Sequence, residues 1–405
     1  MSNSETNRVR SSAPAYRSSS AKPPNITTDH RRYFARTTRG LEWVTAAEID
    51  ASPETVVTEL GHRLVRFAVQ HPSATVCDLR TADDVFEELA ARSGIRTTAD
   101  ALVDIGNVVD RIAPDYKPGR SDLFEVVASF IGRRNYSRFD IEDHLGSRLR
   151  QRFGGKFRSR RNGPPGLVTT SYRVHIWDDW IVLGVRVNAR PLHRRDYRLA
   201  TVPGALHPPV ARAMALIAQV ADQDRVFDPC CGSGTLLIEA SGSAALGSVV
   251  GMDINTAHIG AAVHNADRAG VPLVGLGGDA ARVPLVDGCV DLVLSNPPWG
   301  NQVAAGGQLA LEERPFWDEL RRVLSGRGRA AVLVHNAAGQ PEWSELGLAL
   351  DRKLAICIAG SWTTLYVLAV QSPLTARPET TMARALQRWE AAAQAPHPDG
   401  PSAGD

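Results

Sequence analysis

The sequence has no Cys-x-x-Cys pair, no apolar run long enough to span a membrane, and almost no excess charge of either sign. Its five cysteines (Cys77, Cys230, Cys231, Cys289 and Cys357) are an odd, unspaced set. That argues against a disulfide framework or a zinc module, predicts no bound metal, and fits a reducing compartment. The amino-terminal stretch lacks the apolar segment of a secretory signal, so a cytoplasmic protein is expected. A formal net charge of +2 over 405 residues does not single out a polyanion as partner, so any such contact must come from local clusters. No repeat at solenoid periods is visible. Also missing is Gly-x-Gly-x-x-Gly: Gly232 and Gly234 are followed by Leu237, and there is no Walker lysine. Pyrophosphate binding is thereby disfavoured.

What is present divides the chain. Residues 1–31 are rich in Ser, Arg and Pro and poor in large apolar side chains, which predicts a disordered tail; the end of the segment 375–405, after a helix, reads the same way. A short mixed unit is expected over 32–92, with strands in YFARTTR, TVVTEL and HRLVRFAV, a helix in GLEWVTAAEI, and a closing helix over DLRTADDVFEELA. A second α+β unit follows over 93–190. Its strands are LFEVVASF, SYRVHIW and WIVLGVRV, the last two a hairpin turning at Asp178-Asp179, and Ile141, Leu145, Leu149 and Phe153 mark one face of a helix. After a linker, 191–204, strands and helices alternate over 205–374, the signature of a doubly wound, Rossmann-like α/β sheet. KLAICIAGSWTTLYVLAV reads as an antiparallel pair added to it.

Chemistry concentrates at the strand ends of this last unit. RVFDPCCGSGTLLIEA runs from an apolar strand into Asp228, a Gly232-Ser233-Gly234 turn and a helix. Glycines there let a ligand approach the backbone, and helix amides can bond a carboxylate. The next strand ends in Asp253, placed for ribose hydroxyls, and the third leads to Asp279, placed for an adenine amino group. S-adenosylmethionine, with its amino-acid end at the glycine turn, is the ligand these three acids fit best. The fourth strand, CVDLVLS, runs into Asn296-Pro297-Pro298-Trp299-Gly300. The prolines stiffen the turn. The Asn296 side-chain oxygen and the Pro297 carbonyl can then accept both hydrogens of one exocyclic base amine, freeing its lone pair for a methyl group. Trp299 offers a flat face for a stacked base, worth about 1–3 kcal/mol. Cytosine carbon methylation would need a nucleophilic cysteine beside this turn, and none is there.

D-P-C-C-G-S-G-T-L-L-I-E-A (228–240), G-M-D-I-N (251–255) and S-N-P-P-W-G (295–300) resemble the THUMP-domain RNA methyltransferases that make N2-methylguanosine. Upstream, YFARTTRGLEWVTAAEI is similar to their ferredoxin-like unit, and FEVVASF through VRVNARPLHRRDYR to their THUMP domain. The resemblance covers nearly everything but the tails. It implies a ferredoxin-like unit and a THUMP-like RNA-binding domain ahead of a class I methyltransferase sheet. It further implies that Asp228, Pro229, Gly232, Gly234 and Thr235 hold the methionine part, Asp253 with Ile254 the ribose side, and Asp279 with Ala280 the adenine. Asn296 to Trp299 would grip the base, with Asn296 also beside the cofactor.

Independently, RLRQRFGGKFRSRR (148–161) is basic without an acidic residue, so Arg148, Arg150, Arg152, Lys156, Arg158, Arg160 and Arg161 are candidates for RNA phosphates, with Arg194 and Arg195 at the domain exit. The expected function is methylation of guanine N2 in tRNA. Guanine N2 in rRNA, adenine N6 in DNA or RNA, a protein glutamine amide, and an RNA-binding protein with an inactive methyltransferase domain are the alternatives.

Overall fold

The computed structural model describes residues 30–70, 74–116, 123–163, 166, 168–298, 306–335, 341–371 and 380–394. The expected tails up to residue 29 and beyond Gln394, and Trp299 of the Asn-Pro-Pro turn, lie outside the described residues. No helix among them is long and apolar enough to cross a membrane.

The first of two sheets contains β1 (Arg31–Arg36), β2 (Thr55–Gly61), β3 (Leu64–Val69), β4 (Asp84–Arg92), β5 (Leu123–Phe130), β6 (Lys156–Phe157), β7 (Thr170–Trp177) and β8 (Trp180–Arg186), in the order β2-β3-β1-β4-β8-β7-β5-β6. Helices α1 (Glu42–Asp50), α2 (Ala101–Gly106) and α3 (Arg138–Phe153) cover one face. Strand alternation sorts the side chains: Tyr33 and Ala35 pack with Trp43, Val44 and Ala47 of α1, while Phe34 points the other way to Phe86, Leu64 and Val182. A capping box of Ser137 and Asp140 starts α3, which buries Ile141, Leu145 and Leu149 against Val126 and Val174. Phe153, the fourth residue of that stripe, is only partly buried, edge-on to Tyr116.

The sequence reading needs one correction here. The helix expected over DLRTADDVFEELA is strand β4, paired with β1 on one side and β8 on the other. Glu87, Glu88, Leu89, Ala90 and Ala91 favour a helix locally, but two flanking strands satisfy the backbone of this central position and override propensity. The boundary expected after residue 92 therefore falls at the end of a strand whose pairing carries the sheet across it.

The second sheet belongs to α4 (Pro208–Ile217), β9 (Arg225–Asp228), α5 (Thr235–Ser241), β10 (Ser248–Asp253), α6 (Thr256–Ala269), β11 (Leu273–Gly277), β12 (Val290–Ser295), α7 (Arg314–Val323), β13 (Leu324–His335), β14 (Ala349–Ile358), β15 (Ser361–Ala369) and α8 (Thr381–Gln394). Its order is β11-β10-β9-β12-β13-β15-β14. β9 to β13 run parallel, and β15 and β14 join as the expected antiparallel pair. The order reverses between β9 and β12, which opens a crevice at their carboxyl ends.

Three contacts lock the sheets together. Gly40 (φ +91°) lies so close to β14 that an added Cβ would come within 2.3 Å of the Ala355 carbonyl oxygen. Helix α8 returns to α1, where the Trp389 indole donates to Asp50 at 3.1 Å. Deepest is Glu239 of α5, fully buried, which accepts from Arg195 of the linker (2.8 Å), Arg80 of the first unit (3.2 Å) and the Tyr197 hydroxyl (2.9 Å). Removing one partner of such a buried set leaves the other charges uncompensated, at a cost of about 3–5 kcal/mol. Glu239→Ala is expected to lower unfolding stability by about that amount in urea titrations; a loss below about 1 kcal/mol would show that water reaches the two arginines.

Candidate active site

At the end of β9 the chain turns through Asp228 and Pro229 into two glycines with positive φ, Gly232 (+52°) and Gly234 (+79°). Gly234 also lets α5 press on α6, since its Cβ would stand 3.2 Å from that of Ala262. The Gly232 N–H donates to Asp253 at the end of β10 (3.0 Å), and Asp253 accepts as well from the Asn255 N–H (2.9 Å) and lies 3.2 Å from His258 Nδ1. Asp279, just past β11, accepts from the Ala281 N–H (3.0 Å) and the Gln308 N–H (2.8 Å). Asn296, Pro297 and Pro298 leave the end of β12, with the Asn296 amide nitrogen 3.5 Å from the Gly204 carbonyl of the linker. That contact turns the amide oxygen away from the linker.

These strand ends enclose one cavity of about 300 Å³. Asp228, Pro229, Gly232, Thr235, Asp253, Ile254, Asp279, Ala280, Asn296, Pro297 and Pro298 all line it. Of the residues expected around the cofactor, only Gly234 is absent from the wall; its part is conformational. Sequence reasoning missed Ser233, His258 and His335, and Val202 to Leu206, the end of the linker and the two residues after it, which close one side. Ser233 sits inside the glycine motif, and His335 at a parallel strand's carboxyl end, so both carried a signal. The linker carried none, because only folding brings it over the β12 end.

Charge in the cavity is unbalanced. Asp228 is almost wholly buried and, among the described residues, accepts only from the Cys230 N–H (3.0 Å) and the Ser295 hydroxyl (3.1 Å). Burial pushes its carboxyl up to about 7, and the neighbouring Asp253 charge adds to the shift. Ser233 and Thr235 keep buried hydroxyls without a partner. The described wall thus offers a carboxyl group with no cation beside it and hydroxyls with no hydrogen-bond partner. Burial pushes the Cys230 and Cys231 thiols up as well, so neither serves as a thiolate nucleophile.

The geometry matches what comparison finds. Residues 195–342 match the protein family described as RMKL-like, methyltransferase domain. The chain carries an RMKL-like methyltransferase domain. It is homologous to tRNA guanine-N2 methyltransferases. A tRNA (guanine(6)-N2)-methyltransferase of Thermus thermophilus is 28% identical over 250 residues, covering 60% of this chain and 72% of the relative. One from Archaeoglobus fulgidus is 23% identical over 335 residues, covering 75% and 83%. The crystal structure of TrmN from Thermus thermophilus shares the fold, with a TM-score of 0.68 and 24% identity over 84% of this chain and 99% of that one. The methyl donor of this methyltransferase is S-adenosylmethionine, and the unmatched carboxylate and hydroxyls fit its charged amino-acid end.

The basic candidates separate. Arg195 is corrected outright: it is buried against Glu239 and the Leu192 and Arg80 carbonyls, so it holds the linker and has no face for RNA. Arg148 pairs with Asp110, Arg160 with Glu125, and Arg161 with Asp140 and Asp143, while Arg152 donates to the Val109 and Ile112 carbonyls. Folding brings in carboxylates that the linear run lacks. Arg150, Lys156, Arg158 and Arg194 stay exposed.

Asp228 makes the cofactor-free protein sensitive to pH. Its native carboxyl keeps a proton that the unfolded chain releases above about pH 4, so stability falls as pH rises toward 7 and levels off beyond. Asp228→Asn, which cannot ionise, is expected to gain about 2–4 kcal/mol on the natural protein between pH 5 and pH 8, read from denaturant midpoints. A pH-independent difference would place an ordinary carboxylate there.

Proposed function

We propose that the chain methylates the exocyclic N2 amine of a guanine in RNA, with tRNA as the substrate. The observation that carries this reading is the Asn296-Pro297-Pro298 turn opening into the same cavity as Asp228, Asp253 and Asp279. A base amine is a weak nucleophile because its lone pair is shared with the ring. The Asn296 amide oxygen and the Pro297 carbonyl accept its two hydrogens and favour a pyramidal nitrogen, positioned for in-line attack. S-adenosylmethionine supplies a methyl group on a sulfonium whose departure as a neutral thioether drives the transfer. As the nitrogen–carbon bond forms, the carbon–sulfur bond breaks and its electron pair stays on sulfur; the nitrogen then sheds a proton to solvent.

Asp228 would hold the α-ammonium of the donor, and Ser233 and Thr235, at the start of α5, would hold its carboxylate end. Asp253 already accepts at three of its roughly four positions, leaving one for a ribose hydroxyl. Asp279 keeps two for the adenine amine, and Ile254, half exposed, gives the apolar surface for its ring. The relatives' activity on guanine N2 in tRNA supports the choice of base and RNA. The upstream sheet, read as the ferredoxin-like and THUMP-like units, would hold the RNA, with Arg150, Lys156, Arg158 and Arg194 as its free cations.

The test is methyl transfer to unmodified tRNA and rRNA transcripts, with the product nucleosides identified by mass spectrometry. N2-methylguanosine from tRNA is expected; methyladenosine, or label only in rRNA, moves the substrate and keeps the chemistry. Asn296→Ala is expected to lower kcat by about 100-fold or more while the Kd for S-adenosylhomocysteine stays within about threefold. Equal loss of both would remove Asn296 from the grip on the base.

A further inference from the structure

The face of the first sheet that no helix covers holds a second charge imbalance, opposite in sign to that of the cavity. Arg36, at the end of β1, is almost fully buried, and burial beside Arg173 and Arg63 pulls its guanidinium well below the usual arginine range. Its side chain contacts neutral groups: His175 Nδ1 at 2.9 Å and the Ser129 hydroxyl at 3.1 Å. Arg173 of β7 donates to the same hydroxyl at 3.1 Å. His175 Nε2 lies 3.1 Å from the His62 carbonyl, which makes that nitrogen the donor and Nδ1 the acceptor for Arg36 and Ser129. His175 is thus a neutral imidazole, and the network contains no anion.

Nearby carboxylates do not close the deficit. Asp83 faces Arg63 (3.7 Å) and His207 (3.5 Å), and Asp84 is held by Arg186 at 2.7 Å. Among the described residues, the guanidiniums of Arg36, Arg63, Arg173 and Arg186 make ion pairs with two carboxylates, Asp83 and Asp84, while Glu42 meets only the Arg63 backbone N–H in this group. An arginine does not shed its proton, so burial without a counter-charge is costly unless an anion arrives from outside. Polar atoms are left over as well: Arg173 Nε and His62 Nδ1 are buried without a hydrogen-bond partner among the described residues. Arg63 of this group is exposed and Arg173 half-buried, while Arg36 and His175 are buried.

The position of this group says what the anion belongs to. Asp83 touches His207, whose neighbour Leu206 lines the methyl-transfer cavity, and the Asp83 carbonyl accepts from the His193 N–H of the linker at 3.0 Å. Arg63 pairs with Asp83, so this chain of contacts links the arginine group to the cavity wall. We propose that Arg36, Arg63 and Arg173, with His62, form a binding site for one phosphate group of the RNA substrate beside the catalytic cavity. The proposal rests on the RNA reading above and is independent of the exposed cations on α3 and β6. Arg63 and Arg173 supply the direct charge-assisted contacts, and Arg36 supplies the field beneath them.

Two full-length variants, Arg173→Gln and the exposed Arg63→Gln, test it, with S-adenosylhomocysteine binding as the control for an intact fold. The Kd for the substrate transcript is expected to rise about tenfold in each. The slope of log Kd against log salt is expected to fall by about 0.7–0.9, the loss of one phosphate contact. Inorganic phosphate, compared with chloride at matched ionic strength, is expected to raise the Tm of the natural protein and not that of Arg173→Gln. Unchanged Kd and slope in a protein that still methylates RNA would overturn the phosphate site and leave the function standing. A Tm response to inorganic phosphate with RNA binding unaltered would assign the site to a free anion and likewise overturn the proposal. No RNA binding by the natural protein at any salt would sink the functional reading, and this inference with it.

Discussion

The buried carboxylate of Glu239 is the interaction on which the rest of the architecture depends. It stands on α5, the helix that the cofactor turn begins, and gathers Arg80 from the first unit with Arg195 and Tyr197 from the linker. Two guanidiniums and a phenol converge on one anion out of contact with water, so the three segments hold a single arrangement or leave charge buried unpaired. Because the linker is fixed there, Val202 to Leu206 come to lie over the end of β12 and close the cavity. The Gly204 carbonyl beside Asn296 follows from the same anchoring. Gly40 against Ala355 and α8 against α1 then hold the upstream sheet at a fixed place relative to that opening.

The molecule leaves charge unmatched in two places, and the signs differ. In the cavity an acid, Asp228, is buried without a cation. On the open face of the first sheet, arginines are buried without anions of their own. Interiors seldom tolerate either, because an unpaired buried charge costs more than its partner's presence would gain. Each matches a ligand of the opposite charge, one bringing an ammonium and the other a phosphate. The Asn296-Pro297-Pro298 turn shares the cavity with Asp228 and presents neutral acceptors.

The sequence was most legible where one short segment performs one task. The glycine turn, Asp228, Asp253, Asp279 and Asn296-Pro297-Pro298 could be placed from their order after successive strands, since a parallel α/β sheet brings its strand ends to one edge. Legibility failed where a residue's state depends on partners far away in the chain. The segment around Phe86 has helical composition and becomes the centre of a sheet because β1 and β8 flank it. Arg160 and Arg161 look like free cations in their own stretch, yet Glu125, Asp140 and Asp143 neutralise them across α3 and β5. The isolated charges that matter, Arg36 and Arg173, lie 137 positions apart in the numbering and showed no local pattern at all.

By itself, then, the sequence determined a doubly wound sheet and the order of its strand-end motifs, from the glycine turn after the first strand to Asn296-Pro297-Pro298 after the fourth. These depend on contacts within a few residues and on the fixed direction of parallel strands. Tertiary structure alone decided which charges stay unpaired. It sank Arg195 into an ion pair with Glu239, neutralised much of the basic run, and joined the two upstream units through β4 and β8. Charge compensation acts through space over a few ångströms, and the folded chain, not its order of residues, sets those distances.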